Sequence, residues 1–184
     1  AEYLRALGPQ VRALQEILAE FVRDLEKQWP KPEPERTDNE QDIRRLVKRT
    51  ADKLGKAIKA QSIVPIATKY GEATSEFQRA QLAKQARTAV SIDLRKLSGI
   101  DRKIPQQVQR FARENADLIT GLGGRLAGDI AKVVEQGTFA GSRWETIAAR
   151  LAERGTVTES RAALIARDQV GKLYGAVNKQ RQEN

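Results

Sequence analysis

The side chains available for chemistry are carboxylates, guanidiniums and ammoniums, because the 184-residue sequence contains no histidine and no cysteine. Histidine is the commonest general base and metal ligand near neutral pH, and the cysteine thiolate is a ready nucleophile. Without them, catalytic triads, Cys–His pairs and the usual zinc ligand sets are excluded. Paired carboxylates can work without histidine, yet no pair stands apart by spacing, and neither an Asp-x-Asp nor an EF-hand loop is present. Asp168 is notable only for its surroundings: on a helix it lies two turns from Arg161 on nearly the same face, with Arg167 and Gln169 beside it. Ion pairs that fix how this helix meets its neighbours are the expected role of Arg161, Arg167 and Asp168. The expectation is a non-enzyme that uses no metal and no cofactor.

The other chemistry on offer is anion binding. Lys and Arg total 33 against 24 Asp and Glu, a net charge of +9, and nucleic acid is the first partner such a balance suggests. Seven basic residues, Arg44, Arg45, Lys48, Arg49, Lys53, Lys56 and Lys59, face only Asp42 and Asp52 on one predicted helix. A stripe of this kind can follow a phosphate backbone, each neutralised phosphate adding salt-dependent affinity. No aromatic residue interleaves it, so stacking on single-stranded bases is not its expected mode. The alternative reading is a solvated helix face. The run GLGGRLAG at 121–128 invites comparison with phosphate loops and fails. Leu126 stands where G-x-G-x-x-G needs its third glycine, and Arg125 follows Gly124 where a Walker loop needs lysine. Close helix packing or a turn is expected there instead.

The elements that must position these groups read as helices. Aromatic residues are 5% of the chain and charged residues 31%, so Leu, Ile, Val and Ala must form the core, which suits helical packing better than a sheet sandwich. Leu4, Leu7, Val11, Leu14, Leu18, Phe21 and Leu25 recur in steps of three and four, a heptad-like stripe. That stripe is read either as a surface for docking a partner or as a helix packed on its own domain. Residues 1–29 thus form an amphipathic helix and 30–41, PKPEPERTDNEQ, a proline-rich linker. Residues 42–104 form a basic helical region: one helix from Asp42 to about Gln61, a second opened by Pro65, and a short extended segment near 89–104. In 105–184 several short helices are expected. Asp117 or Thr120 would cap one that Gly137 stops, Ser142–Glu145 would box the next up to Gly155, and Thr158 would cap the last. The fold class is mainly α, a multi-helix domain. No stretch approaches the roughly 20 apolar residues needed to cross a bilayer. Ala1 reads as a processed start rather than a native one.

Four motifs in 105–184 carry a resemblance. They are Glu114-Asn115-Ala116-Asp117-Leu118-Ile119, then Val133–Gly137, then Trp144–Leu151, then Arg161-Ala162-Ala163-Leu164-Ile165-Ala166-Arg167-Asp168-Gln169, which continues into Lys172-Leu173 and Asn178. In this order they resemble the phage Mu F-like head morphogenesis family, the minor head proteins of tailed bacteriophages. Asn115, Leu118, Ile119, Arg161, Ala162, Ile165, Ala166, Arg167, Asp168 and Gln169 are the positions matching the family's two clearest motifs, and a structural role is implied for them. The resemblance implies a virion protein at the portal vertex, present in several copies. Its partners would be the portal protein and other head proteins, with double-stranded DNA as a further one and no membrane. It would occupy the host cytoplasm during assembly. The family's last helix is followed by a further small segment, so the chain is expected to be truncated at its C-terminus. The alternative is a stand-alone basic helical DNA-binding protein.

Overall fold

Leucine, alanine and isoleucine at helical spacing give six α-helices among the described residues of the computed structural model. They are α1 (Glu2–Ala6), α2 (Gly8–Gln28), α3 (Thr37–Ala57), α4 (Ala60–Val90), α5 (Ile104–Phe139) and α6 (Trp144–Gln182). The structure describes residues 2–29, 37–90 and 104–182, and no strand occurs among them. The chain is a mainly α, multi-helix protein, as expected.

α5 and α6 form a long antiparallel hairpin. Gly137 meets Ile147 near the turn, and Asp129 meets Arg161 further along. α2 lies parallel to α5, since Tyr3 reaches Asn115, Leu14 packs beside Gly123 and Trp29 beside Gly137. α3 runs back along α2, placing Lys53 opposite Glu20, and α4 continues past the first part of α5, where Gly71 packs on Val108 and Phe111. One hydrophobic core runs through all six helices.

The buried positions of the two longest helices repeat every eleven residues. On α6 the buried columns are Ile147, Thr158, Gln169, Gln180; Leu151, Ala162, Leu173; and Gly155, Ala166, Val177. On α5 they are Ile104, Asn115, Leu126, Gly137; Val108, Ile119, Ile130; and Phe111, Leu122, Val133. Steps of four, four and three average about 3.67 residues per turn, close to the 3.6 of a straight helix, so the winding is slight and right-handed, whereas a heptad would wind it left-handedly. Straightness lets helices of ~54 and ~58 Å stay in contact along their lengths. The run from α1 into α2 begins in the same way, with Tyr3, Leu7, Val11 and Leu14. The four-residue step from Leu7 back to Tyr3 leaves Leu4 exposed at 37%.

Several boundary expectations are corrected. The stripe Leu7, Val11, Leu14, Leu18, Phe21 and Leu25 is buried in the chain's own core. It is therefore not a free surface for docking a partner. Of the expected linker, residues 37–41 belong to α3, and the rest lies outside the described residues. Pro65 sits inside α4 rather than opening it. Its ring removes the bond to the Gln61 carbonyl, and both residues are exposed, so water can satisfy that carbonyl. Of the expected extended segment, residues 91–103 lie outside the described residues, while 89–90 close α4 and Ile104 opens α5.

The short helices expected in 105–184 are, among the described residues, two continuous ones. Asp117, Thr120, Gly137, Gly155 and Thr158 all lie in helix interiors. Thr120 and Thr158 bond the carbonyls of Ala116 and Arg154, four residues back, instead of capping. The turn comes at Gly141, whose φ of 61° is the left-handed conformation that glycine adopts freely. Around it Ser142 N–H donates to the Gly137 carbonyl at 2.8 Å, closing the helix end. The Ser142 carbonyl accepts the Trp29 indole N–H at 3.1 Å, which ties the end of α2 to this corner.

One polar contact lies deep in the core. The Tyr3 hydroxyl donates to Asn115 Oδ1 at 2.8 Å, and Asn115 Nδ2 donates to the Phe111 carbonyl at 2.8 Å. Burial holds the Tyr3 phenol well above its usual pKa, because ionisation there would lose water. The folded chain then keeps a proton that the unfolded chain releases above pH ~10. Stability should fall with rising pH from that point, by up to about 1.4 kcal/mol per unit. Chemical denaturation of the wild type and Tyr3→Phe between pH 9 and 11 checks this; the difference between them should narrow or reverse as pH rises.

Candidate nucleic-acid interface

α3 turns Ile43, Leu46, Thr50 and Leu54 inward and keeps Arg44, Arg45, Lys48, Arg49, Lys53 and Lys56 exposed, with Lys59 just past its end. The sequence-read face therefore lies on the surface. The seven cations are not equivalent, however. Arg44 pairs with Glu40 at 2.6 Å and Arg45 with Asp42 at 3.3 Å on the same helix. Lys53 reaches Glu20 of α2 at 2.7 Å, and Arg49 lines a small cleft with Glu20 and Asp24. Lys48, Arg49, Lys56 and Lys59 form no ion pair among the described residues. Exposed pairs of this kind contribute under about 1 kcal/mol and exchange readily for a phosphate. The acidic neighbours on α2 could not be read from the stripe itself, because Glu20 is distant in sequence.

At Leu54 and Gly123, α3 meets α5 backbone to backbone, with no side chain between them. An ideal Cβ on Gly123 would lie 2.1 Å from the Leu54 carbonyl oxygen. Of the glycine-rich run, Gly123 alone serves this packing. Arg125 lies across Gly121 and donates to the Leu118 carbonyl at 3.0 Å, while Gly124 and Gly128 are exposed and open.

The motif residues fall into the α5–α6 hairpin. Asn115, Ile119, Ala162, Ala166 and Gln169 occupy buried columns, and Leu118 and Ile165 border them. Small Ala162 and Ala166 let α6 approach closely. Arg161 Nη1 pairs with Asp129 of α5 at 2.9 Å, so it does fix how α6 meets its neighbour. Asp168 instead pairs along its own helix with Lys172 at 2.7 Å, and Arg167 is exposed. Asp129→Asn should cost about 1 kcal/mol, a value held down by the partial exposure of the arginine; urea unfolding of that variant reads it.

No group of three His, Cys, Asp or Glu side chains that could hold a metal ion occurs among the described residues. No helix is long and apolar enough to cross a membrane among them. A cleft of about 200 Å³ between α4 and α6 is lined by Gln78, Gln81, Leu82, Gln85, Tyr174, Asn178 and Arg181, with no carboxylate among the described residues that line it.

Comparison with known proteins adds one relative. The chain is 28% identical over 143 residues to an uncharacterised protein of Haemophilus influenzae Rd, covering 69% of this chain and 32% of the relative. It thus spans about a third of that protein's length. No family model and no solved structure matches the chain.

Proposed function

We propose that this chain is part of a minor head protein of a tailed bacteriophage, associated with the portal vertex and touching packaged DNA through α3. The observation that carries this reading is the ordered run of motifs resembling the Mu F-like family. Its two clearest elements, Glu114–Ile119 and Arg161–Gln169, sit on the two arms of one hairpin. Asn115, Ala116, Ile119, Ala162, Ala166 and Gln169 of these runs are buried, while Leu164 is exposed, so much of the motif describes how the arms pack. Support for DNA contact comes from the exposed cations of α3 and the net charge of +9.

The mechanism is binding alone. The hairpin supplies a straight scaffold, and lysines and arginines exchange their counterions for phosphates. Quantitative mass spectrometry of purified particles from the source phage should find several copies of this chain per portal. Its complete absence from particles and from portal complexes would overturn the virion reading. The second reading, a stand-alone DNA-binding protein, is favoured by the same basic face. It would then require steep salt dependence of duplex binding with no portal association.

A further inference from the structure

We propose that duplex DNA seats on the outer seam between α3 and α5, with Gly55 and Gly124 as the points of closest approach and Lys48 and Lys59 as its phosphate anchors. This rests on the reading that α3 meets DNA, and it names where. The seam begins at the Leu54–Gly123 contact, where the two backbones touch. α2 lies to one side of α3, marked by Lys53–Glu20, and α6 to one side of α5, marked by Arg161–Asp129. Moving round each helix away from those neighbours leads, on α3, to half-buried Ala51 and then exposed Gly55. On α5 it leads to half-buried Ala127 and Thr120 and then exposed Gly124. A Cβ on Gly55 or Gly124 would meet nothing within 4 Å.

Neither glycine has a packing reason to be there, and a glycine inside an exposed helix weakens it relative to alanine. What the pair produces is a saddle of small residues beside cations. Lys48 lies on the Gly55 side of α3 together with Arg44, which Glu40 pairs at 2.6 Å, and Lys59 follows just past the helix end. The opposite edge, with Arg49 and Lys53, is partly neutralised by Glu20 and Asp24 of α2. A bare saddle admits the bulky sugar–phosphate ribbon close to the lysines, where long side chains would hold it off. The absence of aromatic residues from the α3 stripe points to the duplex rather than to stacked single strands.

The test is a salt titration of binding to a mixed-sequence duplex by fluorescence anisotropy, using the full chain. Gly55→Gln and Gly124→Gln change no charge and should each weaken binding about tenfold, the weight of one or two phosphate contacts. Gly175→Gln, at an open position of α6, should leave binding unchanged and controls for helix effects. Lys48→Gln with Lys59→Gln should lower the salt slope by about 2, whereas Lys53→Gln with Lys56→Gln, an equal change in charge, should lower it by less than about 1. Circular dichroism confirms folding of each variant. Binding by the wild type with undiminished affinity in both glycine variants would overturn the seam while leaving DNA contact by α3 standing. Equal slopes for the two lysine pairs would do the same. No salt-dependent binding by the wild type would remove the DNA reading itself.

Discussion

Gly123→Ala should lower stability by about 3 kcal/mol, toward the upper end for overpacking, because the new methyl group meets a backbone atom rather than a side chain. Its Cβ would lie 2.1 Å from the Leu54 carbonyl oxygen, with the Leu54 carbonyl carbon at 2.9 Å. Nothing there can rotate aside, so α3 must move off α5 as a body. For a chain of this length the change corresponds to a fall in Tm of roughly 6–12 °C. Gly137→Ala makes an instructive comparison. Its Cβ would come even closer to a neighbour, 2.0 Å, but that neighbour is Ile147 Cδ1, the end of a side chain. A rotamer change relieves it, and the loss should be about 1 kcal/mol. Thermal unfolding of the two variants should therefore rank them opposite to their distances. Equal losses would mean that the α3–α5 contact is more yielding than the geometry implies.

Asn115→Ala should cost about 2–4 kcal/mol, combining a cavity with a buried phenol left without an acceptor. Asn115 is fully buried, and Tyr3 donates to it across the interface between α1 and α5. Removing both polar partners separates the two contributions. In Tyr3→Phe with Asn115→Leu no hydrogen-bonding side chain remains at the contact, and the volume is largely kept. That double variant should be more stable than Asn115→Ala by more than about 1 kcal/mol. Denaturant titration of the cycle measures it. A double variant no better than Asn115→Ala would show that the site is governed by packing, with the ring contacts of Tyr3 to Tyr70 and Phe111 at 5.0 and 5.9 Å carrying the energy.

The mainly helical character was legible because the chain is rich in aliphatic residues at helical spacing and poor in aromatics. The apolar stripe of α2 was legible as well, although its period was not. From Leu4 to Leu25 the steps of three and four alternate as in a heptad, and the eleven-residue recurrence emerges only over the 36 and 39 residues of α5 and α6. The same length defeats the boundary signals. Thr120, Gly137, Gly155 and Thr158 have the chemistry of caps and stops, but each lies where the neighbouring helix covers the chain, and packing of the apolar columns outweighs the local preference. At the candidate interface, the basic face was legible from the spacing of its cations along one helix, and it lies opposite the inward Ile43, Leu46, Thr50 and Leu54. What could not be read was long-range: the Glu20 carboxylate beside Lys53 and the backbone contact at Gly123. Arg161 was expected to fix α6 on a neighbour, but its partner Asp129 lies 32 positions away, and no local pattern announces it.

The eleven-residue recurrence makes the bundle a ruler with graduations. Removing or adding eleven residues at matched places in α5 and α6 returns every inward side chain to an inward position, one step of ~16.5 Å along the axis. A change of nine in one arm does not: it rotates everything beyond it by about half a turn and would point that arm's apolar columns toward water. Length in this fold is therefore quantised, and the hairpin's reach can change only in such steps while its cross-section stays the same.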